Sequence, residues 1–184
     1  MLRQISKYIL SLWGWKIEGS LPYDLKKYMM IAMPHTSNWD FPLGVLIRSV
    51  IKLNINFVGK DSLFKPPFGF IFSYLGGYPV DRSKSTNFVD AVAKLYDENE
   101  RFALLIAPEG TRKKVTKLKT GFYFIALKAK VPIVLMKMDW PNKVVTFNKP
   151  FHPSGDKEKD FKFLKDEMKG IVGKNPEWSW PEAN

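Results

Sequence analysis

Two polar clusters in this 184-residue chain carry side chains able to do chemistry. The first reads His35-Thr36-Ser37-Asn38-Trp39-Asp40. A histidine and a carboxylate five positions apart, on a loop that turns into a helix, can fold back to face each other. The carboxylate then holds the proton of one ring nitrogen and leaves the other nitrogen as a base. It also stabilises the imidazolium formed once a proton is taken. The plainer reading is a loop histidine beside an aspartate that only caps the following helix.

The second cluster reads Pro108-Glu109-Gly110-Thr111-Arg112. Gly110 lets backbone amides approach a ligand closely. Thr111 and Arg112 are natural donors to phosphate, the guanidinium through two parallel hydrogen bonds. Glu109 suits either a hydrogen bond to a substrate hydroxyl or the positioning of Arg112; an ordinary polar turn is the plainer alternative. Between the clusters, the apolar stretch from Gly59 through Tyr78-Pro79-Val80-Asp81-Arg82 reads as a surface loop or hairpin. Arg82 at its end offers a second cation for phosphate. The basic residues from Arg112 to Lys137 are uninterrupted by acid, either as a solvated face or as an attractor for an anionic substrate or membrane.

Both clusters need a scaffold, and the apolar pattern supplies one. Tyr28–Met33, Ile55–Val58, Phe102–Ala107, Val131–Met138 and Val144–Phe147 read as strands. Asp40–Lys52, Ser85–Glu100, Lys119–Lys130 and Asp156–Val172 read as helices, with Asp40 as the N-cap of the first. Strands alternating with helices predict an α/β fold: one domain over residues 1–184, with a mixed, largely buried sheet flanked by helices. Ligands in such folds meet the loops at the carboxyl ends of strands, where both clusters lie.

Composition narrows the partners. With no cysteine, disulfides, thiolate zinc sites and cysteine nucleophiles are excluded, and two histidines make a histidine-rich metal site unexpected. A net charge of +11 and a pI near 9.7 suit an anionic membrane surface, a polyanionic small molecule or nucleic acid. Nucleic acid is set aside, because the aromatics fall in apolar runs rather than interleaving with lysine. No uncharged apolar run reaches the roughly 18 residues needed to cross a bilayer. Met1–Lys16 has Leu2, Ile5, Ile9, Leu12 and Trp13 at helical spacing and no small-residue cleavage site. It reads either as a helix packed on the core or as an amphipathic helix at a membrane interface, with Trp13 and Trp15 at headgroup level.

In order, four blocks resemble the glycerolipid acyltransferase family that includes 1-acylglycerol-3-phosphate acyltransferase. They are His35 to Asp40, Gly59 to Arg82, Glu109 to Arg112, and Val131-Pro132-Ile133-Val134. Pro34, Ala107 and Leu135 depart from the family's usual residues without removing a reacting group, and the membrane-spanning segment common at the N-terminus of such proteins has no counterpart here. The resemblance implies a glycerol-3-phosphate acyltransferase-like fold. It implies transfer of a fatty acyl group from acyl-CoA or acyl carrier protein to a lysophospholipid-type acceptor, with no metal and no further cofactor. His35 is then the general base and Asp40 its orienter, while Arg82, Glu109, Gly110, Thr111 and Arg112 bind substrate. A peripheral place on the cytoplasmic face of the membrane follows as an expectation. The rival expectation is an inactive lipid- or anion-binding module at a membrane surface.

Overall fold

The computed structural model describes residues 2–80 and 85–180. Its helices are α1 (Leu2–Trp13), α2 (Asp40–Ile51), α3 (Gly69–Tyr74), α4 (Ser85–Glu98), α5 (Gly121–Ala129) and α6 (Lys157–Glu167). Its strands are β1 (Lys16–Gly19), β2 (Lys27–Met33), β3 (Asn56–Lys60), β4 (Gly77–Val80), β5 (Phe102–Ile106), β6 (Ile133–Asp139) and β7 (Val144–Phe147). They form one seven-stranded sheet in the order β1-β7-β6-β2-β5-β3-β4. Among the described strand pairs, only β6–β7 is antiparallel.

The continuous apolar run of β2 follows from its central place. Successive side chains of a strand point to opposite faces. Met29, Ile31 and Met33 join one core with Tyr96 of α4, Phe122 and Ile125 of α5, and Leu164 of α6. Tyr28, Met30 and Ala32 join the other with Leu10 of α1 and Leu43 and Ile47 of α2. Both faces are covered, so no polar alternation is needed. The expected mixed sheet between helices is the observed architecture.

Three local expectations need correction. The stretch 59–80 is not a hairpin. A 3-10 turn (Asp61–Phe64) and α3 carry the chain over to β4, which lies parallel to β3. Ring contacts among Phe41, Phe57, Phe64 and Phe72, with centroids 5.6–6.2 Å apart, hold this crossover against α2. Asp81 and Arg82 lie outside the described residues. Second, β1 was not legible, because Lys-Ile-Glu-Gly contains a single apolar side chain and pairs only at the sheet edge with β7. Third, of the two readings of Met1–Lys16, packing wholly on the core does not hold, since the stripe of α1 faces outward except at Trp13, which is packed against the core. Ser6 and Leu10 are its buried residues, while Leu2, Ile5, Ile9 and Leu12 are exposed. Trp15 is buried, so it does not stand at an interface. Among the described residues, no helix is long and apolar enough to cross a membrane.

Candidate active site

The parallel register of β2 and β5 brings the two clusters together. Ile31 pairs with Ile106, so the two strands leave the sheet at the same level. His35 follows four residues beyond the first, and Glu109 three beyond the second. Glu109 Oε1 accepts the backbone N–H of His35 at 2.9 Å.

Asp40 is the first residue of α2, not its N-cap; Trp39 takes the cap position without a side-chain cap bond. The Asp40 carboxylate is turned back into the loop instead. Its Oδ2 accepts the backbone N–H groups of Thr36 and Ser37, each at 2.9 Å, and lies 2.9 Å from His35 Nδ1. An ionised carboxylate can only accept, so this contact suits an N–H on Nδ1 and turns Nε2 away from Asp40. The positive end of α2 favours the negative charge at this place. The His35 side chain is 23% exposed and that of Asp40 only 2%, so the imidazole is reachable while its partner is sealed.

Glu109 is buried, and its Oε2 has no hydrogen-bond partner. Burial pushes its carboxyl up to about 7, against the opposing pull of the His35 backbone N–H. Its one bonded oxygen holds His35 rather than Arg112, which corrects the expectation that it positions the guanidinium. Gly110 turns the chain with φ +67°, a conformation glycine adopts without a Cβ penalty, and its N–H donates to the Ala107 carbonyl at 3.1 Å. Thr111 Oγ1 accepts the N–H of Lys113 at 3.3 Å.

An open cavity of about 380 Å³ adjoins the histidine loop. Thr36, Ser37, Asn38 and Trp39 line it, together with Arg112, Lys174, Asn175 and Trp178. No acidic side chain is among them, and the Arg112 guanidinium is exposed. The structure therefore joins His35, Asp40 and Glu109 directly and sets Arg112 on a shared cavity, while Arg82 lies outside the described residues. A smaller cavity of about 280 Å³ beside α5 and His152 contains none of these groups. Among the described residues, no group of three or more His, Asp or Glu side chains could hold a metal ion.

Sequence reasoning did not find the residues that arrive from the C-terminal end. The indole N–H of Trp140 donates to Asp40 Oδ1 at 2.9 Å. The Asn175 N–H donates to Thr36 Oγ1 at 3.1 Å, and its side-chain amide donates to the Thr36 carbonyl at 2.6 Å. Gly173 packs so closely that a Cβ there would meet Thr36 Oγ1 at 2.5 Å. Lys174 Nζ stands 4.8 Å and 5.0 Å from the ring centroids of Trp140 and Trp39, within cation–π range. No local spacing signals these pairings, since Trp140 lies 100 residues from Asp40 and Asn175 lies 139 from Thr36.

A family model described as acyltransferase matches residues 16–138. No curated protein matches the chain. Among solved structures, the chain is similar to the crystal structure of the 1-acyl-sn-glycerophosphate (LPA) acyltransferase PlsC from Thermotoga maritima. The TM-score is 0.62 at 21% identity, covering 90% of this chain and 74% of that one. That likeness is one of fold.

Proposed function

The chain belongs to the acyltransferase family, and from that premise we propose that it acylates a lysophospholipid-type acceptor, 1-acylglycerol-3-phosphate being the first choice. The donor is acyl-CoA or acyl carrier protein, and the product enters phospholipid synthesis. The observation that carries this reading is the 2.9 Å contact between His35 Nδ1 and a sealed Asp40 carboxylate, with the ring still reachable.

His35 Nε2 takes the proton from the acceptor hydroxyl as its oxygen attacks the thioester carbonyl carbon. Asp40 holds the Nδ1 proton and the imidazolium charge. The tetrahedral adduct collapses, the C–S bond breaks, and the imidazolium returns its proton to the leaving thiolate. No acyl-enzyme forms, because a thioester is already activated and needs a base and a positioned alcohol rather than a protein nucleophile. Glu109 keeps the His35 backbone in place through the amide. Arg112 grips the acceptor phosphate from the cavity wall, with Gly110 and Thr111 shaping the turn that presents it and Arg82 as a further cation. Lys174 adds a second positive charge to the same cavity.

The outward apolar face of α1 and the net charge of +11 support a peripheral place on the cytoplasmic side of the membrane. Flotation with anionic liposomes tests this: recovery in the floated fraction at low salt is expected, and recovery only in the soluble fraction argues against it.

The deciding experiment incubates the protein with acyl-CoA and a panel of lysolipids, following free thiol and identifying products by mass spectrometry. Acylated 1-acylglycerol-3-phosphate is the expected product, with turnover lost in His35→Ala. Full activity in His35→Ala removes the base assignment. Acceptor binding without thiol release by the wild-type protein favours the inactive binding module instead.

A further inference from the structure

The Asp40 carboxylate offers two oxygens, and only one of them serves the histidine. Oδ2 receives the His35, Thr36 and Ser37 donors, whereas among the described residues Oδ1 receives only the Trp140 indole N–H. A carboxylate with one loaded oxygen can turn about its Cβ–Cγ bond and exchange the two. Fixing Oδ1 prevents that exchange.

The indole is itself immobilised. Trp140 directly follows β6, and its backbone N–H donates to the Val172 carbonyl at 2.9 Å. Its ring meets Trp15 edge-on at 5.0 Å and Trp13 at 5.8 Å. Lys174 covers it from the cavity side. Burial alone does not force the bond to Asp40, because Trp15 in the same cluster keeps its indole N–H buried without a partner.

We propose that Trp140 is a positioning residue for acyl transfer: its indole N–H locks the Asp40 carboxylate in the rotamer that orients His35, so the working unit is His35, Asp40 and Trp140. This rests on the reading of His35 as the base. Trp140 lies just beyond the segment that the family model matches, so the acyltransferase core is completed by chain outside it.

Trp140→Phe keeps an aromatic ring in the cluster and removes the N–H. Outer groups that orient a reacting residue are worth about 10–100-fold, so kcat is expected to fall about 10-fold while both KM values stay within about 2-fold. In the His35→Ala background the same substitution is expected to change the residual rate less than about 2-fold, since there is no base left to orient. A β-(benzothienyl)alanine residue at position 140, with sulfur in place of the indole N–H, preserves the ring's size and is expected to give the same loss of kcat. That variant settles the matter should Trp140→Phe fold poorly. Unchanged kcat in the sulfur variant, or an equal loss with and without His35, overturns the proposal. Full turnover in His35→Ala instead brings down the base reading itself, so the two failures are distinguishable.

Discussion

The two sides of the site are built to different standards. On one side, His35, Asp40 and Glu109 are tied together by short bonds to buried or partly buried backbone amides, and Asp40 is 2% exposed at its side chain. On the other, Arg112 and Lys174 reach a shared cavity as exposed cations. The difference matches the demands of the chemistry. A general base loses its effect when displaced by an ångström, because proton transfer needs a hydrogen-bonded geometry. A phosphate is gripped through charge at longer range, and a mobile guanidinium adjusts to it. Under the proposed function, the rigid side sets the rate and the soft side sets the affinity.

The largest effect that would break this division is expected at Asp40. Asp40→Asn replaces one acceptor oxygen by an amide donor facing donors, so kcat should fall about 10²–10⁴-fold. Steady-state kinetics with saturating substrates read this, and a change confined to KM would contradict the assignment. Next in size, Arg112→Ala should raise the acceptor KM about 10-fold and leave kcat within about 3-fold. A kcat loss as large as that of Asp40→Asn would erase the distinction between the two sides.

Glu109 gives a pH test of the rigid side. Its folded carboxyl titrates at about 7, against an ordinary value of 4.5. The folded state therefore holds this proton more tightly than the unfolded chain does. Its contribution to stability is fully present below about 4.5 and is lost as pH rises toward 7. Thermal melts across that window should show a falling Tm that Glu109→Gln flattens. An identical slope in both proteins would mean the carboxyl titrates elsewhere. The smallest effect is expected at Asn175, which braces the loop through Thr36 without touching the dyad. Asn175→Ala should lower Tm by a few degrees, the loss of about 1–2 kcal/mol. It should also reduce kcat about 2–3-fold, about 0.4–0.7 kcal/mol in barrier height. A kcat loss approaching that of Trp140→Phe would make the brace as important as the indole.

Local patterns carried much of this molecule into view. The apolar runs of β2 and β5 announce buried strands because both faces of a central strand must be covered. Periodicity placed α2, α4, α5 and α6, although α6 stops at Glu167, short of the expected end, before Gly170 turns with φ +76°. The segment 59–80 reads as a loop or hairpin in sequence because α3 has only six residues, too few for a helical period to show against Pro and Gly. The outward face of α1 was equally hidden, since an apolar stripe says nothing about which side meets protein.

By itself the sequence determined which side chains could do chemistry, their order, and the strand–loop–helix context of His35 and Asp40. These are properties of neighbouring residues, and local sterics and periodicity encode them. Only the tertiary structure decided that Ile31 and Ile106 sit in register, that Glu109 serves the His35 amide, and that Trp140, Lys174 and Asn175 return to the site. Contacts across so many residues arise from the summed packing of both cores, which no short stretch of chain contains.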